Sequence, residues 1–142
     1  MTTGTKFNQF VEDMGSGVMN LASDTIKVML TNTLPVVTNH VYSDISGTEL
    51  ANGNGYTTGG GSLSGVSYTN SGGLSTLAAN AFTWTSGAGN MGPFRYVVMY
   101  DSTPGTKTLI GWWDYGSSVT LIGASAQQFV FSPNSNTALT VQ

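Results

Sequence analysis

Apolar residues along this chain recur mostly at every second position, in short runs broken by Gly, Ser, Asn and Pro, and such alternation predicts strands. In residues 24–31, Ile26, Val28 and Leu30 alternate with Thr25, Lys27 and Met29, which predicts a strand with one apolar face. Residues 62–70 and 77–86 predict two more strands around the turn-forming Ser71-Gly72-Gly73, with Phe82 and Trp84 on one side of the second. Residues 118–122 and 128–131 predict another short pair around Gly123 and Ala124. A last strand over 138–141 follows the Ser132-Pro133-Asn134 turn.

The best-formed pattern is a hairpin, with strands over 94–101 and 108–114 and Pro104-Gly105 between them. Placing Asp101 opposite Thr108 sets Met99 against Ile110, Val97 against Trp112 and Arg95 against Asp114. One face then carries Arg95, Val97, Met99, Ile110, Trp112 and Asp114. The other carries Phe94, Tyr96, Val98, Tyr100, Leu109, Gly111 and Trp113. Both faces are largely apolar, which places the hairpin inside a sheet or at an interface. Gly111 either lets a large ring cover the backbone or marks a bulge.

Helical spacing occurs once. Phe7, Phe10, Val11, Met14, Val18 and Leu21 recur at that period, so a short amphipathic helix is predicted from an N-cap at Thr5, stopping near Met14 where Gly15 and Gly17 intervene. Residues 32–61 read as a long irregular region, with a turn of helix or a short strand over 41–45; so long a loop in a small domain is usually functional or an interface arm. About seven to nine short strands with frequent turns imply a mainly β fold, a single antiparallel β-sandwich or jelly-roll-like domain over 1–142. Residues 1–23 form its N-terminal helix and arm.

At 142 residues the chain is long enough to bury a real core. It has no Cys, which excludes disulfides, thiolate metal sites and a cysteine nucleophile. Only 8% of residues are charged, so solubility rests on neutral polar groups. The four basic residues, Lys6, Lys27, Arg95 and Lys107, are scattered in a chain of net charge −3, so no nucleic-acid partner is expected. No apolar run is long enough to span a bilayer, and the polar N-terminus shows no secretion-signal pattern, so no membrane partner is expected.

Candidate chemistry is sparse. His40 is either a general base or metal ligand, or a loop histidine without such a role. The carboxylates Glu12, Asp13, Asp24, Asp44, Glu49, Asp101 and Asp114 are dispersed and pair with no evident nucleophile. NGNGYTTGGG lacks the ending of a phosphate-binding loop and reads as turn and bulge glycine. Trp112 and Trp113 raise the option of stacking on sugars, although their alternation sends one to each face. The register makes Arg95 and Asp114 a structural ion pair, of modest value if exposed and costly to break if buried. No catalytic, cofactor-binding or metal site is expected.

The blocks KFNQFVEDMGSGVMNLASDTIKVMLTNTLP, NGNGYTTGGG and GPFRYVVMYDSTPGTKTLIGWWDYGSSVTL resemble a family of small virion structural proteins of tailed bacteriophages and prophages, and together cover most of the chain. The chain is also similar in size and composition to capsid decoration or cement proteins, which are β-rich, bind the outer face of an assembled shell as oligomers and clamp neighbouring capsomers. The resemblance therefore implies a non-enzymatic protein at the virion surface, assembled in the host cytoplasm, with the major capsid protein as partner and self-association as a dimer or trimer. The alternative is a carbohydrate- or receptor-binding module on a tail or fibre. The expected interface residues are Phe7, Phe10 and Met14 of the helix and Leu34, Val37, His40, Tyr42 and Tyr56 of the loop region. Alternatively, the helix caps one open end of the sandwich.

Overall fold

The structure is a computed structural model and describes residues 4–133 and 139–141. The chain runs through β1 (Thr5–Lys6), α1 (Phe10–Gly15), β2 (Ile26–Thr31), β3 (Gly61–Ser62), β4 (Ser67–Ser71) and β5 (Leu74–Ala78). It continues through β6 (Phe82–Thr85), β7 (Met91–Asp101), β8 (Leu109–Leu121), β9 (Gln128–Phe131) and β10 (Leu139–Val141). The fold is mainly β, and all its strand pairings are antiparallel. A five-stranded sheet has the order β1-β8-β7-β2-β3, a three-stranded one β10-β5-β4, and β6 pairs with β9.

The β7–β8 hairpin lies in the middle of the large sheet and is buried on both sides. On one side Val97, Met99, Ile110 and Trp113 join Ile26, Val28 and Leu30 of β2. The smaller sheets add Leu77, Trp84, Phe129 and Phe131 to the same core, and α1 adds Phe10. On the other side Tyr96, Val98, Tyr100, Leu109 and Trp112 pack with Met29, Phe7 and Ile45. Met29 is therefore core as well, and β2 has two apolar faces where the alternation implied one.

The hairpin register departs from expectation by one residue. Tyr100 lies opposite Leu109 as expected, but Met99 pairs with Gly111, Val98 with Trp112 and Val97 with Trp113. Ile110 is the extra residue of a bulge beside Gly111, and because strand side chains alternate, a one-residue slip exchanges the faces beyond it. Trp113 thus joins Val97 and Met99, and Trp112 joins Val98 and Tyr100, the reverse of the expected assignment.

Other elements also shift. Thr5 does not cap a helix: it pairs with Trp112 as Lys6 pairs with Gly111, and α1 begins only at Phe10. Gly4 leads into this edge so close to the Trp113 indole that a Cβ would lie 2.6 Å from the ring. The strand expected over 77–86 is two strands in different sheets, and that expected over 62–70 is also divided. Residues 118–121 belong to β8, and β9 pairs with β6, where Trp84 meets Phe129 and Phe82 meets Phe131. Burial of these rings against the shared core selects that pairing. The last strand pairs with β5; Ala138 and the Asn134 end of the expected turn lie outside the described residues.

Candidate functional site

Residues 32–61 form an arm that passes from the outer edge of β8 across the Tyr100 face of the large sheet to the outer edge of β2. Val41 bridges Thr108, Glu49 bridges Thr31, and two short 3-10 turns, Tyr42–Asp44 and Ser46–Thr48, lie between them. The segment 41–45, read as helical turn or strand, contains both. Gly60 seats the arm's end, with φ +71° and its Cα so near β2 that a Cβ would meet the Val28 carbonyl oxygen at 1.8 Å.

Glu49 is the arm's polar centre. Its Oε2 accepts the Tyr42 hydroxyl, and its Oε1 accepts the Tyr56 hydroxyl at 2.6 Å and the Gly59 amide at 2.7 Å. Tyr56 Oη accepts the Leu30 amide at 3.1 Å, and Tyr100 donates to the Gly59 carbonyl at 2.6 Å. The Tyr42 and Tyr100 rings lie 5.0 Å apart, with Lys107 Nζ 5.2 Å from the Tyr42 ring centre. Burial, reinforced by Glu49, pushes the Tyr42 and Tyr56 phenols far above their usual range and raises Tyr100 to about 12. The phenols therefore stay protonated as donors. This arrangement is a clasp that holds the arm to β2 and β7.

His40 closes a second joint. Its Nε2 lies 2.8 Å from Oδ2 of buried Asp13 on α1, while its own side chain is 44% exposed. Asp44 Oδ2 accepts the amides of His40 and Val41 at 2.9 and 3.0 Å, which hold the Asp44 carboxyl below its usual range. No hydroxyl of the described residues hydrogen-bonds to the His40 ring. Among the described residues no group of three or more His, Cys, Asp or Glu side chains is placed to hold a metal ion.

Arg95 and Asp114 form a bidentate pair, Nε to Oδ1 at 2.8 Å and Nη2 to Oδ2 at 2.9 Å, with both side chains about one-third exposed. Hydrogen bonding to Arg95 lowers the Asp114 carboxyl and raises the guanidinium. Asp114 faces Tyr96 in the ladder, not Arg95, and the long arginine side chain covers the offset.

The expected interface residues divide. Phe7, Phe10 and Tyr56 are no more than 2% exposed and belong to the chain's own core, so they are unavailable to a partner. Of the three only Phe10 lies on α1, and its burial packs that helix against the core. Met14 is half-buried against that core, Tyr42 is half-buried in the clasp and His40 is tied to Asp13. Leu34 and Val37 are exposed, as is Val36, and together they form an apolar tip above buried Pro35 and a shallow cleft reaching Ile45 and Thr48. Trp112 and Trp113 are buried and cannot stack on a sugar. Sequence reasoning missed Glu49 and Asp13, whose partners are set by chain packing and not by any local spacing.

Fold and site together define a mainly β protein of antiparallel sheets with a clasped, apolar-tipped arm. No known protein family, no curated protein and no solved structure matches this chain.

Proposed function

We propose that the chain is a non-enzymatic structural protein of a tailed-phage virion, a capsid decoration or cement protein that binds the outer shell and stabilises contacts between capsomers. The observation that carries this reading is the arm: a long loop fixed by the Glu49 clasp and His40 presents Leu34, Val36 and Val37 to solvent. A fixed apolar tip meets a protein surface at little ordering cost. Low charge density favours the same use, since interface cores are depleted in charged residues. The resemblance of its sequence blocks to small virion proteins supports the assignment. The partner in this reading is the major capsid protein, with the chain bound as a dimer or trimer at the capsid surface. A core shared between the large sheet and the two smaller ones supports the finer description of the fold as a β-sandwich.

The test is to mix purified protein with undecorated shells of the phage that encodes it. Stoichiometric binding is expected, lost in a Leu34→Ser/Val36→Ser/Val37→Ser variant that keeps its melting temperature, and retained in Val130→Ser, an exposed apolar change on β9. Failure to bind shells at any stage of maturation overturns the assignment.

A further inference from the structure

β4 and β5 form a regular hairpin, whose residue pairs run without a bulge from Ser67–Ala78 to Ser71–Leu74. Its two-residue turn, Gly72-Gly73, takes φ +59° and +84°, as the tight turn of a twisted hairpin requires. Such a turn closes on a hydrogen-bonded pair. Ser71, Thr69 and Ser67 therefore exchange bonds with β5, and the amides and carbonyls of Tyr68 and Asn70 point away from it. β4 ends its sheet, whose order is β10-β5-β4, and among the described residues nothing hydrogen-bonds to those outward groups.

Sheet edges of soluble proteins usually carry Lys, Pro, a bulge or a very short strand, each of which keeps another strand from adding. β1 and β3, the edges of the large sheet, are two residues long. β4 reads Ser-Tyr-Thr-Asn-Ser, has none of these devices, and is exposed at every residue but Tyr68. No charged residue occurs anywhere between Glu49 and Arg95. A two-fold contact sets a surface against itself, which a charged edge resists by like-charge repulsion and this neutral edge does not.

The strand also matches itself in register. With Thr69 on a two-fold axis, Ser67 faces Ser71 of a second copy, Tyr68 faces its Asn70 and Thr69 faces its Thr69. Tyr68 and Asn70 then fall on the pairs that exchange both N–H···O bonds, the positions where their outward groups need partners. No other two-fold antiparallel register pairs the strand along its whole length. Tyr68 also packs on the core and borders an open hollow of about 200 Å³ with Met14, Met19, Leu21 and Ala22, beside which the second copy's Asn70 would stand.

We propose that β4 is a self-association edge, through which two copies of the chain pair antiparallel over Ser67–Ser71 about Thr69 and join their three-stranded sheets into one. The contact is small, which places it among weak interfaces, with a Kd on the order of 100 μM. On a shell that holds many copies side by side, the local concentration favours it. What the pairing is for rests on the virion reading above; whether it forms does not, and its test needs no shell.

The experiment is analytical sedimentation of the full chain from about 10 μM to about 1 mM, where a monomer–dimer equilibrium is expected. Thr69→Lys sets like charges face to face and weakens the dimer severalfold, as does Thr69→Glu, whereas an equimolar mixture of the two associates more tightly than either alone. Asn70→Pro removes an outward amide, touches no backbone bond to β5, and weakens the dimer about tenfold or more. Thr83→Lys, the same charge change at an exposed position of β6, leaves association unchanged. Variants are compared at unchanged melting temperature, and the two Thr69 variants serve if Asn70→Pro fails to fold. A wild type that stays monomeric up to about 1 mM overturns the proposal. So does a dimer that Thr69→Lys and Asn70→Pro leave intact, or a mixture no tighter than its components. Open-ended growth with concentration overturns it as well, because the copies would then join head to tail.

Discussion

Tyr56 donates its hydroxyl to Glu49 at 2.6 Å while the same oxygen accepts the amide of Leu30, so one buried phenol joins the arm's carboxylate to the central strand β2. Tyr56→Phe keeps the ring but leaves a buried amide without an acceptor. The expected loss is about 1–3 kcal/mol by urea denaturation, the cost of a stranded buried polar group. Faster proteolysis within residues 50–61 should accompany it.

His40 is the partner that compensates buried Asp13. His40→Ala is expected to cost about 1 kcal/mol, the low end of the range for an orphaned buried group, because the imidazole is partly exposed and water takes part of its place. In a double-mutant cycle, Asp13→Asn should absorb much of that cost, and strict additivity would show that the two residues do not interact.

For Arg95 the exposure decides the outcome. A pair open to water loses little when one partner goes, since the remaining charge is rehydrated. Arg95→Met should shift the denaturation midpoint less than Tyr56→Phe does, and added salt should shrink the difference further. A larger loss than that of Tyr56→Phe would mean that the pair is buried in solution.

Gly60 meets two prohibitions, a positive φ and a carbonyl oxygen where a Cβ would stand. Gly60→Ala should cost more than about 1–3 kcal/mol, the range for backbone strain alone, or abolish soluble expression. Gly72→Ala, at a similar φ but with open space around the added methyl, is expected to be milder. Melting curves of the two variants compare strain with collision directly.

Much of the local structure was legible along the chain. Alternation of Ile26, Val28 and Leu30 placed β2, and turn residues at Pro104-Gly105 placed the hairpin, because these signals depend only on neighbouring residues. The Arg95–Asp114 pair was legible even though its assumed register was one residue off, since a long side chain tolerates that offset. The bulge at Ile110 was marked only by Gly111, which reads equally as room for a large ring. Trp112 and Trp113 suit either face equally, so nothing local chose between the two phases.

The sequence by itself determined a mainly β chain with a central apolar hairpin and a long arm, because strand periodicity and turn chemistry are written in adjacent residues. Only the tertiary structure decided that Phe7, Phe10 and Tyr56 face inward and leave Leu34, Val36 and Val37 as the apolar tip. It alone brought Glu49 to Tyr56 and Asp13 to His40. These contacts join separate segments, and burial of both hairpin faces, a property of the whole packed chain, sets which groups meet.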